Sequence, residues 1–153
     1  MNSSSVLERI QNDMMVAMKA RDADTLSTLR MLKSALMEAK TKKPKDATLT
    51  AEEEIEVIQR YAKKRRESIE EFRKLGALER IPREEQEVEI TQRYMPQAMP
   101  EGEIDALVRD AIAATGATSL KDMGKVIGVV MAQVKGRAEG GTVSRLVRTA
   151  LGS

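Results

Sequence analysis

Cysteine and histidine are both absent from this chain of 153 residues. Zinc sites of the usual kind, thiol catalysis, histidine-based triads and haem ligation by histidine fall away together. The lack of cysteine also removes any disulfide framework and suits a reducing cytosol. Tryptophan is missing too, and Tyr61, Phe72 and Tyr94 are the only aromatic residues. Runs that alternate with period two, the mark of strands, are not found. No apolar run approaches the roughly 20 residues that span a bilayer. Met1 to Ser5 shows no basic segment leading into an apolar one, so no secretory signal is read. The expectation is a cytoplasmic protein without membrane attachment. Net charge is only +2, so attraction to phosphate must come from local clusters rather than from the chain as a whole.

What is present points to helices. Leu, Ile, Val, Ala and ten Met must fill the core, and charged residues reach 33%. Leu, Ala and Met favour helix, and a charged remainder leaves each helix with one apolar stripe. The predicted fold is all-α, an N-terminal domain over 1–95 and a small three-helix domain over 96–153. In the first domain, Ser5 with Glu8 marks the start of a helix from about Val6 to Ala20. Its stripe is Val6, Leu7, Ile10, Met14, Ala17 and Met18. A tight connection from Arg21 to Asp24 leads into a second helix with Leu26, Leu29, Leu32 (or Met31), Ala35 and Leu36 on one face. The two make a helix hairpin. Thr50 with Glu53 opens a long third helix that Gly76 stops after Leu75. Its apolar positions are Ile55, Ile58, Tyr61, Ala62, Ile69, Phe72 and Leu75. A fourth runs from Pro82 to about Tyr94, with Val88, Ile90 and Tyr94 as core candidates.

The two prolines between Met95 and Pro100 mark the boundary. Beyond it the pattern predicts helices over 101–115, closed by Gly116, and 119–135, closed by Gly136. A last one covers 142–151, opened by Gly140 and Gly141 with Thr142 as cap.

Candidate sites compete with plainer readings. Glu52, Glu53, Glu54, Glu56, Glu84, Glu85, Glu87 and Glu89 resemble the paired carboxylates of di-metal bundles. Those bundles also need a Glu-x-x-His unit, which this chain cannot supply. Acids in a first helical turn oppose the dipole, so these are read as solvated helix starts. The segment from Gly136 to Thr142 lacks the lysine of a phosphate loop and follows no strand, which rejects nucleotide hydrolysis. Backbone N–H groups at Gly140, Gly141 and Thr142 leave either a seat for one phosphate or an ordinary turn. Gly124 and Gly128 permit close helix approach, Lys125 between them argues against a membrane dimer, and tight packing within the chain or a smooth surface is the preferred reading.

Basic residues carry the sharpest hypothesis. On a wheel of about 100° per residue, Met123, Val126, Ile127, Val130, Met131 and Val134 share one side of the 119–135 helix. Lys121, Lys125 and Lys135 fall opposite, with Gly128 and Ala132 between them. Arg137, Arg145 and Arg148, with Thr142, extend the strip. A lysine-edged, nearly bare helix face admits another macromolecule, while solvated lysines opposite a core remain the common alternative. Both readings stand. Lys42, Lys43, Lys63 and Arg66 form a secondary basic patch in the first domain. No catalytic residue, metal ligand or cofactor is assigned, and the oligomeric state is left open.

Two stretches carry a family resemblance. One runs from Asp122 to Met131, continues as Val134-Lys-Gly-Arg-Ala138 and closes with the 143–151 helix. The other joins Leu29 to Ala35, Glu53 to Ile58, Lys63 to Ile69, and Tyr94-Met-Pro96, where Met95 replaces an expected Leu. Together they resemble the YqeY family across nearly the whole chain. The last third is also similar to the tail domain of the B subunit of aspartyl/glutamyl-tRNA amidotransferase. That resemblance implies a link to tRNA, with an amidotransferase or another protein as a possible partner. It does not imply carbon–nitrogen ligase activity with glutamine as donor, because the kinase and glutaminase motifs are missing. The expectation is a tRNA-binding or amidotransferase-associated module. The alternative is a protein adaptor using the Met-rich first and second helices, favoured if Met14, Met15 and Met18 are exposed.

Overall fold

The computed structural model describes residues 5–152. The reading of Met1 to Ser5 as carrying no signal falls, Ser5 apart, outside them. The described residues form helices and no strand. They gather into two compact units, one ending at Met95 and one beginning at Pro96. Among them no helix is long and apolar enough to cross a membrane.

The first unit holds α1 (Val6–Lys19), α2 (Ala23–Thr41), α3 (Ala51–Leu75), a 3₁₀ turn at Leu78–Arg80 and α4 (Ile81–Gln92). Local chemistry sets the ends. Ser5 accepts a hydrogen bond from the Glu8 N–H, and Asp22 accepts one from that of Thr25. Thr50 and Glu53 complete both halves of a capping box. Gly76 then turns the chain out of α3 at φ 75°, a left-handed conformation that costs glycine little. Ile10, Leu29, Leu32, Leu36, Ile58 and Ile90 are almost wholly enclosed, joined by Val6, Ala17 and Tyr94. The stripes are narrower than their sequence suggests. Leu32 rather than Met31 enters the core, Met18 lies on the flank of α1, and Leu75 at the end of α3 is 73% exposed. Pro82 follows the first residue of α4 rather than opening the helix, because Ile81 is already helical and buried.

In the second unit α5 is Glu101–Thr115, closed by Gly116 at φ 69°. A 3₁₀ turn at Leu120–Asp122 precedes α6 (Met123–Val134), and α7 is Gly140–Gly152. Ile104 and Val108 of α5, Val126, Val130 and Val134 of α6, and Val143 and Val147 of α7 form its core. Two expected boundaries change. The helix expected over 119–135 begins as a tighter turn, because the Ser119 hydroxyl accepts from the Lys121 N–H and the Ser119 carbonyl from the Asp122 N–H. The last helix begins at Gly140, because the Val143 N–H already bonds to the Glu139 carbonyl at 3.2 Å. Gly140 and Gly141 therefore lie inside its first turn, and Thr142 is its third residue rather than its cap.

Candidate nucleic-acid interface

Burial of Val126, Val130 and Val134 against α5 and α7 fixes which side of α6 faces outward. On that side Gly124, Lys125, Gly128 and Ala132 are exposed, as are Lys121 in the preceding turn and Lys135 just after the helix. Where a Cβ would stand at Gly124 or Gly128, no atom of the described residues comes within 4 Å apart from the chain neighbours and the helix's own nearby backbone. A glycine in a helix interior costs about 1 kcal/mol relative to alanine. No close packing within the chain offsets that cost at these two positions. Lys135 is itself unusual. It adopts φ 46°, with Gly136 following at φ 82°, and a left-handed conformation at a residue with a Cβ costs about 1–2 kcal/mol.

Two of the arginines expected to extend the strip, Arg137 and Arg145, have partners inside the second unit. The Arg137 Nε donates to the Gln97 carbonyl at 3.0 Å. Its own carbonyl accepts from the Met99 N–H at 2.7 Å, and Glu103 lies 4.0 Å from the guanidinium. Arg137 thus ties the start of the unit to the turn after α6. Arg145 pairs with Glu101, both well exposed, a type of pair worth little in water. Arg145 and Arg148, three residues apart, share the exposed side of α7, and Thr142 is half-buried.

The secondary patch lies in the first unit. Lys42 and Lys63 are exposed and Arg66 is half-buried. Lys43 is engaged by Glu53 at 2.5 Å and by the Thr48 carbonyl at 2.9 Å. That ammonium and the Thr50 N–H hold the Glu53 carboxyl down to about 2.

Several of the acids depart from the expected pattern. Glu52, Glu56, Glu85 and Glu89 are solvated, but Glu54 and Glu87 are buried. Glu54 accepts from the Val6 N–H at 3.3 Å and the Leu7 N–H at 3.0 Å. A carboxylate from α3 thereby satisfies the open first-turn donors of α1 and meets the positive end of its dipole. Arg65 of α3 lies 3.5 Å from Glu84 and 3.8 Å from Glu87 of α4. At the end of α4 the Tyr94 hydroxyl donates to Asp13 at 2.5 Å, while Arg9 lies over its ring. Burial and the Asp13 charge raise the Tyr94 hydroxyl above its ordinary value. One signal was available: Glu54 precedes Ile58 and Ala62 at four-residue steps, and Glu87 precedes Ile90 and Tyr94. Both acids stand in the core register. Among the described residues no three or more acids are grouped so as to hold a metal ion.

Comparison with known proteins places the chain in a family. The model of the Yqey-like proteins matches residues 7–151. The chain is 31% identical over 154 residues to altered inheritance of mitochondria protein 41, mitochondrial, of Pyrenophora tritici-repentis, covering 97% of this chain and 82% of that protein. It is 30% identical over 89 residues to an uncharacterised protein of Schizosaccharomyces pombe, covering 58% of this chain and 70% of the other. The chain belongs to the family of YqeY-like proteins.

Proposed function

We propose that this is a binding protein whose α6 face meets the phosphate backbone of a folded RNA of the tRNA class. The observation that carries the reading is the pair Gly124 and Gly128. They are exposed on a helix, flanked by Lys121, Lys125 and Lys135, and among the described residues nothing outside their own helix lies close enough to require a missing side chain. A partner's backbone approaching α6 gives the bare surface a use, and the lysines supply the charge it needs. Lysine contacts to phosphate position an RNA without reading bases, so shape sets the selectivity. With one Phe and two Tyr in the chain, stacking on splayed bases has little to work with, which favours a folded RNA over a single strand.

The similarity of the last third to the tail domain of the amidotransferase B subunit supports tRNA as the class, and an amidotransferase as a protein partner. No ligase activity is carried over. The test is fluorescence anisotropy with total tRNA at one low salt concentration. Lys125→Glu combined with Lys135→Glu is expected to weaken binding by more than about tenfold, given two phosphate contacts reversed in sign. Unchanged affinity in that variant discards the site.

A second reading has its own observation. Met15 and Met18 on α1 are each 57% exposed and Met31 on α2 is 52% exposed, although Met14 is half-buried. Exposed thioethers adapt to varied protein partners. Loss of a protein complex on Met15→Gln with Met18→Gln, at unchanged RNA affinity, favours the adaptor.

A further inference from the structure

We infer that Glu84 and Glu87 hold one proton between them beside the Arg65 guanidinium, so that the contact between α3 and α4 is clasped while the proton is bound and loosens when it leaves. Two carboxylates meet a single cation here. Arg65 Nη1 lies 3.5 Å from one oxygen of Glu84 and 3.8 Å from one of Glu87. The three side chains are 26%, 16% and 11% exposed, so water does little to spread the charge.

Arg83 also pulls on Glu84, but more weakly than Arg65. From α3, Tyr61 donates a hydrogen bond to the other Glu87 oxygen at 3.4 Å, and its ring lies 5.2 Å below the guanidinium. From α4, Arg83 is turned toward Asp24 of α2, with 2.6 Å between them. With both glutamates ionised the cluster carries one negative charge in excess. Arg65 Nε and Glu84 Oε2 are enclosed and make no hydrogen bond, an arrangement that is costly for an ionised oxygen. A proton on Glu84 removes the excess charge and supplies a hydrogen bond to Glu87. Burial acts in the same direction, pushing the Glu84 carboxyl above its ordinary 4.5 against the pull of Arg65, with the Glu87 charge adding to the rise.

The sign follows from linkage. The folded protein holds the proton more tightly than the unfolded chain, so the stabilisation is complete below 4.5 and is lost as pH rises through the raised value. Tyr61, pushed up to about 12 by burial and by Glu87, loses its proton in a separate and far more alkaline window. The experiment is a carbon-detected NMR titration of the glutamate carboxyls in the full chain, with Glu84→Gln used to assign the signal. Glu84 is expected to titrate above 4.5. Titration of Glu84 at or below 4.5 overturns the inference. As a second readout, Glu84→Gln is expected to lose the fall in unfolding temperature that the parent shows as pH rises above 4.5. An equal fall in variant and parent overturns it as well.

Discussion

Glu54 joins the start of one helix to the start of another. Its two oxygens take the Val6 and Leu7 N–H groups, donors that no residue within α1 can satisfy, and the site is buried. Removing the carboxylate strands both. Glu54→Ala is expected to cost about 3 kcal/mol of stability, the scale for hydrogen bonds to a charged group, measured by chemical denaturation. A cost below about 0.5 kcal/mol contradicts the role. Glu53, its neighbour, behaves differently. Its carboxyl sits near 2 because Lys43 donates to it and the Thr50 N–H adds a second bond. A depressed acid contributes above its unfolded value of 4.5, and that contribution is lost as pH falls toward 2. Replacing Lys43 with Met should raise the Glu53 midpoint toward 4.5 in a carboxyl NMR titration, while the Thr50 bond keeps it somewhat below.

Among the elements, α6 carries the most specific claim. Helical glycines with open space beside them lower stability without improving the chain's own packing. Gly124→Ala with Gly128→Ala is therefore expected to raise stability by about 1 kcal/mol per site while weakening RNA binding, because two methyl groups roughen the face. Calorimetry and anisotropy on the same variant check both halves; gain in stability without loss of binding removes the surface from the account. The elements also show which signals are local. The Thr50–Glu53 box, Gly76 and Gly116 act within a few residues, so the ends of α3 and α5 could be read from sequence. Glu54 could not be placed by the same rules, because an acid in a first turn satisfies the dipole whether it faces water or a neighbouring helix, and Glu87, in the second turn of α4, is marked only by its register with Ile90 and Tyr94. The early start of α7 was hidden by two glycines that ordinarily signal a loop. For the candidate face, the order of lysines and small residues on α6 was readable. The engagement of Arg137 by Gln97 and of Arg145 by Glu101 depends on residues about forty positions away, beyond any local pattern.

For the molecule as a whole, each unit encloses its own apolar cluster, one around Leu32, Leu36 and Ile58 and one around Val108, Val130 and Val143. Ile104→Ala should cost the second unit about 3 kcal/mol through the cavity it leaves. Hydrogen exchange is expected to report that loss in α5, α6 and α7 and to leave protection in α1 to α4 unchanged. Charge on the whole chain is nearly balanced at +2, so any affinity for RNA must arise from a few placed lysines. The measurement that tests this most directly is the salt dependence of tRNA binding for the parent chain and for Lys125→Glu with Lys135→Glu. The logarithm of affinity is expected to fall linearly with the logarithm of salt, with the slope smaller by about two in the variant, one for each phosphate contact removed. Affinity independent of salt, or slopes that coincide, would contradict it.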